Sequence, residues 1–244
     1  MNKTLTFLIL LVIFPFIPCT AQAQSDTSFV SSAVTDALKQ YRTAIGINTH
    51  LFNGTEYYIP SFSGVKGHQF FQEKTFQNGS VKYDGAWFEE VAMLYELVQD
   101  ELVIVNHSSG YSQRLVKDRV DAFRLQGHTF LRLEADSTTA LYIQPGFYDL
   151  LFSGNVQVLM KRRKILFERA STDKVEREYR DASKFYIVKD NVYHLVGNKR
   201  SVMRVLQDQK RALNKFIKAN KFRFSKDREN AITKIAEHYH TLHQ

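Results

Sequence analysis

The sequence predicts an α+β protein that is mainly β: an antiparallel meander, either a twisted sheet or a partly closed barrel, with an N-terminal helix and two C-terminal helices packed on it. Three observations predict it. Turn-forming pairs punctuate residues 50–197; the runs between them are short and rich in Val, Ile, Tyr, Phe and Leu; and at Asn198 the apolar period becomes helical. Strands joined by tight turns pair antiparallel with their sequence neighbours, and no helix-length crossover interrupts these to build a parallel sheet.

Composition agrees with a packed body. Of the 244 residues 44% are apolar and 24% charged, while only 4 are Pro and 11 Gly, which excludes disordered, collagen-like and low-complexity chains. The 12 Tyr and 19 Phe favour strands.

The first segment reads as an address. Lys3 supplies a positive start, residues 7–17 are an apolar run of 11, and Ala21-Gln22-Ala23 offers small residues where a signal peptidase reads. Residues 1–23 are therefore expected to be a signal peptide, and 24–244 a single β-rich domain. A membrane span needs about 20 apolar residues, so no transmembrane span is expected in the mature chain. Cys19, the only cysteine, falls inside the removed segment and follows Pro18, where a lipoprotein signal carries a small residue. The mature chain would then hold no thiol, which excludes disulfides, thiolate nucleophiles and Cys-ligated zinc.

The elements follow in order. Phe29, Val30, Ala33, Val34, Ala37, Leu38 and Tyr41 recur at helical spacing and predict a helix over about 27–44, stopped by Gly46. Asn53-Gly54, Asn78-Gly79 and Asp84-Gly85 are strong tight-turn signals. Gln99-Asp100, Ser109-Gly110, Gln126-Gly127, Ser153-Gly154 and Asp190-Asn191 are weaker ones. They predict paired strands at 91–97 with 102–105, 123–125 with 129–133, 150–152 with 156–160, and 185–188 with 192–196, in a meander of about eight to eleven strands. A basic helical part then spans about 200–242. Val202, Val205, Leu206, Leu213, Phe216 and Ile217 share one face of a continuous helix, with Ser201 as its cap and Asn220 as its left-handed stop. Ser225 is read as the cap of a last helix whose apolar face is Ala231, Ile232, Ile235, Ala236, Tyr239 and Leu242.

Several stretches carry a family resemblance: Leu51-Phe52-Asn53-Gly54-x-Glu56-Tyr57, Gly79-Ser80-Val81-x-Tyr83-Asp84-Gly85, Leu94-Tyr95-Glu96-Leu97-x-x-Asp100-Glu101-Leu102-Val103, Gly127-His128-Thr129-Phe130 and Gly146-Phe147-Tyr148-Asp149-Leu150-Leu151. With the two late helices, the chain resembles a group of signal-peptide-bearing, β-rich envelope or secreted proteins of Bacteroidota-type bacteria. The resemblance implies export and a β-rich body, and it brings no activity and no site residue with it.

Charge is segregated. Residues 1–150 hold 11 basic against 15 acidic residues, a balance of −4, and residues 151–244 hold 22 against 10, a balance of +12. Lys161-Arg162-Arg163-Lys164 is a basic run inside an expected hairpin, and 199–228 holds 11 cations against Asp208 and Asp227. Arg204, Arg211, Lys215 and Lys218 cluster opposite the apolar helix face and are the candidate anionic-surface residues. Such a stripe suits anionic lipid, lipopolysaccharide or another envelope component. Nucleic acid is the weakest partner, because export removes most of it and no binding motif is present.

Signals for chemistry are weak. His238, His240 and His243 crowd the C-terminus and read as a solvated tail rather than a metal site. The pairs Glu89-Glu90, Asp100-Glu101 and Asp118/Asp121 would need a shared cleft; adjacent residues of an extended strand point to opposite faces, which argues against the first two, and Asp100-Glu101 is read as part of its turn. His107-Ser108-Ser109-Gly110 lacks the strand–elbow–helix context of a nucleophile. No phosphate-binding glycine loop and no His-Glu-x-x-His occur. No catalytic residue, metal or cofactor is assigned, and the favoured reading is a non-enzymatic envelope protein, in the periplasm, at the outer-membrane periphery or secreted. A carrier holding an apolar ligand among Tyr57, Tyr58, Tyr83, Trp87, Phe88, Tyr95, Phe130, Tyr142, Phe147 and Tyr148 is one alternative. A hydrolase acting on an envelope polymer is the other.

Overall fold

The computed structural model describes residues 50–60, 64–105, 110–135, 142–170 and 175–243, with helical positions 30, 32–34, 36, 37 and 40. The signal segment with Cys19, and His107-Ser108-Ser109, lie outside the described residues. The chain divides into two compact units, Met1–Gly46 and Ile47–Gln244. In the first, the described positions between 30 and 40 are helical.

The second unit is mainly β. Its strands are β1 (Thr55–Glu56), β2 (Val65–Lys66), β3 (Gln77–Tyr83), β4 (Ala86–Glu96), β5 (Glu101–Val105), β6 (Ser112–Arg114), β7 (Val120–Leu125), β8 (His128–Leu133), β9 (Gly146–Ser153), β10 (Gln157–Lys161), β11 (Lys164–Ala170), β12 (Val175–Asp181), β13 (Lys184–Lys189) and β14 (Val192–Val196). Eleven of them form one antiparallel sheet in the order β1-β6-β5-β4-β3-β7-β8-β9-β10-β13-β14. The sheet stays open, with β1 and β14 at its edges.

Neighbour pairing dominates, as the turns predict, but the chain departs from a simple meander in three places. At the start, β1 pairs with β6 rather than with a sequence neighbour. After β6 it doubles back through a short 3-10 turn, Lys117–Arg119, and lays β7 against β3. After β10 it leaves the sheet altogether: β11 and β12 form a hairpin whose second strand pairs in parallel with β2, making a separate three-stranded sheet.

The turn residues explain the hairpins. Asp84-Gly85 (φ 49° and 77°), Gln126-Gly127 (51° and 80°) and Asp190-Asn191 (52° and 61°) each place two successive residues at positive φ. That is the type I′ geometry whose twist matches flanking strands. Two expected turns are something else. Asn53-Gly54 joins a 3-10 turn (His50–Phe52) to β1. Asn78-Gly79 lies inside β3, where a Cβ on Gly79 would stand 2.3 Å from the Arg124 carbonyl oxygen of β7. Glycine is there because two backbones meet closely, not because the chain turns.

The helical part also differs from expectation. Instead of two helices there are three: α1 (Lys199–Val205), α2 (Lys210–Ala219) and α3 (Arg228–Thr241), with a 3-10 turn at Gln207–Gln209 breaking the first expected helix. The cap of α1 is Asn198, whose side chain accepts from the Ser201 N–H at 2.9 Å, while the Ser201 hydroxyl accepts from the Asn198 N–H at 3.2 Å. Ser201 is thus the inner partner of a capping box. Asn220 is right-handed (φ −87°) and closes α2 by donating its amide to the Phe216 carbonyl at 2.9 Å; the left-handed residue is Lys221 (φ 51°). Asp227, not Ser225, caps α3.

Two main cores result. One is aromatic: Tyr95, Phe123, Phe130 and Phe147 pack on each other, with the Phe123 and Phe130 rings stacked at 4.5 Å and Tyr95 edge-on to both at 5.1 and 5.0 Å. In the other, Val202, Met203, Leu206, Leu213, Ile217, Ile232, Ile235, Ala236 and Tyr239 of the helices share one buried cluster with Val156, Val158, Met160, Phe185, Ile187 and Val196 of the sheet. Truncating a fully buried aliphatic here, such as Ile235 to Ala, costs about 2–5 kcal/mol.

Candidate functional site

The chain's cations divide into those turned inward and those left facing solvent. The 161–164 run is the inward group. Lys161, only 8% exposed, donates to Asp100 Oδ2 at 2.7 Å beside Lys117 at 2.6 Å, and the Tyr95 hydroxyl donates to Asp100 Oδ1 at 2.6 Å. Burial pushes the Lys161 ammonium below its usual value, and Asp100 opposes that shift. Arg162 reaches Asp149 through Nε and Nη2 and Glu229 of α3 through Nη1 and Nη2, both at 2.8 Å. Lys164 donates to the carbonyls of His68 and Phe70 at 2.9 and 2.7 Å. Only Arg163 of the four is exposed. This run is a clasp between sheet and helix.

The helical cations are the outward group. Arg204, Arg211, Lys215 and Lys218 are all exposed, and none makes an ion pair among the described residues. Arg211, Lys215 and Lys218 sit at i, i+4 and i+7 of α2, within about 60° of one another at 100° per residue, away from the buried Leu213 and Ile217. Arg204 does not continue this stripe, because the break at Gln207–Gln209 puts it on a different helix. It lines instead a groove of about 840 Å³ with Lys199, Arg200, Met203, Gln207, Asp208, Lys210 and Asn214.

Asp208 anchors the break. Its Oδ1 accepts from Lys189 of β13 at 2.6 Å; its Oδ2 accepts from the Tyr239 hydroxyl of α3 at 2.8 Å and faces His243 Nε2 at 3.4 Å. Burial works against the carboxylate, but the hydrogen bonds from Lys189 and Tyr239 outweigh it and hold Asp208 below its usual range. The one acidic group bordering the groove is therefore already engaged by groups outside it. Lys199, Arg200 and Lys210 were not singled out from the sequence; their only signal was membership of the basic stretch 199–228.

Other candidates sort as follows. The C-terminal histidines belong to structure rather than to a solvated tail: His238 stacks on Phe216 at 4.0 Å, His240 accepts from the Asn155 N–H at 3.2 Å, and His243 donates to the Tyr239 carbonyl at 2.9 Å. His128 Nδ1 lies 2.8 Å from Asp149 Oδ2. Glu89 and Glu90 were expected on opposite faces, yet both line one shallow depression with Arg124 and Gln126, because a β-bulge puts Glu90 at φ 56°. Asp118 and Asp121 are tied to Arg132 and Lys82 rather than to each other. Tyr58 and Tyr142 of the aromatic set are exposed, at 75% and 53%. Among the described residues no cluster of three His, Cys, Asp or Glu could hold a metal, and no helix is long and apolar enough to cross a membrane.

What the fold and the site define is a β-rich body bearing a broken, cationic helical segment. Compared with protein families, with curated proteins and with solved structures, the chain finds no match.

Proposed function

We propose that this is a non-enzymatic exported envelope protein that binds or assembles at an anionic envelope surface through its basic C-terminal helices, with Arg204, Arg211, Lys215 and Lys218 as contacts. One observation carries the reading: these four are exposed and unpaired among the described residues, while Lys161 is buried and Arg162 half-buried against carboxylates and Arg132, Arg177 and Lys189 have ion-pair partners. Cations near an anionic leaflet contribute about 1 kcal/mol each, so four together dominate a modest affinity. The resemblance to Bacteroidota-type envelope proteins and the signal-like start support export to the same place.

The test is sedimentation of the chain with vesicles of phosphatidylcholine alone or containing anionic phosphatidylglycerol. Binding is expected only to the anionic vesicles and falls steeply with salt, since the Debye length shrinks from about 10 Å at 0.1 M to about 3 Å at 1 M. Arg211→Glu with Lys215→Glu should abolish it and leave the melting temperature nearly unchanged. Salt-indifferent binding would refute the reading. The apolar-carrier alternative draws little support, because Tyr95, Phe123, Phe130 and Phe147 pack on one another.

A further inference from the structure

We infer that the groove between α1 and α2 is a discrete site for the phosphate groups of a phosphorylated lipid headgroup. The inference rests on the surface-binding reading but is separable from it: a charged face attracts any anion, whereas a built groove selects one chemistry.

Four cations, Lys199, Arg200, Arg204 and Lys210, border the groove, and all are exposed and free of ion pairs among the described residues. The one carboxylate on its rim, Asp208, already accepts from Lys189 and Tyr239, so it does not neutralise the four. Two of the four are guanidiniums, whose planar donor forks can each contact two oxygens of a phosphate, while the two ammoniums add charge that a doubly ionised phosphate meets better than a singly charged group does. The amides of Gln207 and Asn214 on the rim can bond ester oxygens and hydroxyls of a headgroup. A volume of about 840 Å³ falls within the range of small-molecule sites, about 300–1,000 Å³, and exceeds what a lone phosphate fills.

The placement of the groove ties it to a surface. At 100° per residue, Lys210 and Asn214 lie on the flank of α2 between its buried stripe and the stripe of Arg211, Lys215 and Lys218, about 90° from the latter. A headgroup held in the groove therefore sits beside a cationic face that can meet the anionic lipids around it. The break at Gln207–Gln209 makes this possible, since one continuous helix would have no concave side.

The experiment uses the full chain and phosphatidylcholine vesicles made equally charged with either phosphatidic acid or oleate, with inorganic pyrophosphate as competitor. Phosphatidic acid vesicles are expected to bind at least tenfold tighter than oleate vesicles. Lys199→Ala with Arg200→Ala should remove the preference while leaving the salt-sensitive binding carried by Arg204, Arg211, Lys215 and Lys218; both positions are exposed, so the melting temperature is the folding control. Arg200→Lys should keep part of the preference. Equal binding to the two vesicle types, or a preference that survives the double variant, overturns the site while leaving the surface reading intact. No binding to either overturns both. Pyrophosphate that binds as tightly as the phosphatidic acid vesicles would assign the groove to free phosphates and overturn the lipid source; weak competition supports it.

Discussion

Arg162 grips Asp149 with two nitrogens on one carboxylate oxygen, at 2.9 and 2.6 Å, in a position where Asp149 is 1% exposed. The same guanidinium spans to Glu229, so one side chain joins β9 to α3. Removing it leaves the buried carboxylate with His128 as its remaining partner and no guanidinium, a loss that costs up to about 3–5 kcal/mol. Arg162→Ala is expected to lower the urea midpoint accordingly, and Arg162→Lys to recover only part, because an ammonium cannot bridge both acids with a planar fork. A variant as stable as the parent would show that Asp149 finds other compensation.

Alkaline stability follows from the buried phenols. Burial pushes Tyr57 up to about 12 and holds Tyr83, Tyr95, Tyr148 and Tyr186 above the ordinary phenol value. In the unfolded chain each ionises near about 10. Their folded values are raised, so the stability they contribute is complete below about 10 and is lost as pH climbs through the folded values. Absorbance at phenolate wavelengths should therefore rise for these groups in one cooperative step that coincides with loss of tertiary circular dichroism. A gradual rise centred on the ordinary value, with structure retained, would contradict this.

Gly79 offers a backbone test. A Cβ there would stand 2.3 Å from the Arg124 carbonyl oxygen, and backbone cannot swing aside as a flexible side chain does. Gly79→Ala should destabilise the fold by about 1–3 kcal/mol. Gly85, which has nothing within 4 Å of its would-be Cβ but φ 77°, separates crowding from backbone conformation as a comparison site. Equal urea midpoints for Gly79→Ala and the parent would exclude the close approach.

The caps distinguish two readings of the last helix. Asp227 accepts from the Asn230 N–H at 3.4 Å and from its side-chain amide at 2.9 Å. Asp227→Ala should cost about 1 kcal/mol and Ser225→Ala close to nothing. Thermal melts in which the two variants exchange rank would move the helix start back to Ser225.

What was legible in the sequence was local. Asp84-Gly85, Gln126-Gly127 and Asp190-Asn191 set their hairpins because two residues with positive φ are enough to do so. The return of β7 to β3 and the exit of β11 and β12 were hidden, since both depend on partners remote in the chain. Charge shows the same limit. Lys161-Arg162 and Lys210-Arg211 are alike as text, yet the first pair finds carboxylates 61, 13 and 67 residues away at Asp100, Asp149 and Glu229, and the second finds none among the described residues. Exposure of Arg211, Lys215 and Lys218 followed from helical spacing. The groove around Arg204 did not, because it exists only where the helix breaks.

The parallel contact of Val65 and Lys66 with Arg177 and Glu178 makes the small sheet a late seal. A chain emerging N-terminus first exposes β2 long before β12 has been made, so nothing nearby in the sequence can complete that edge, and its closure must wait for more than a hundred further residues. Once shut, it holds β3 to β10 of the large sheet between two ends of one buckle, and a single proteolytic nick between them would leave both fragments fastened to each other.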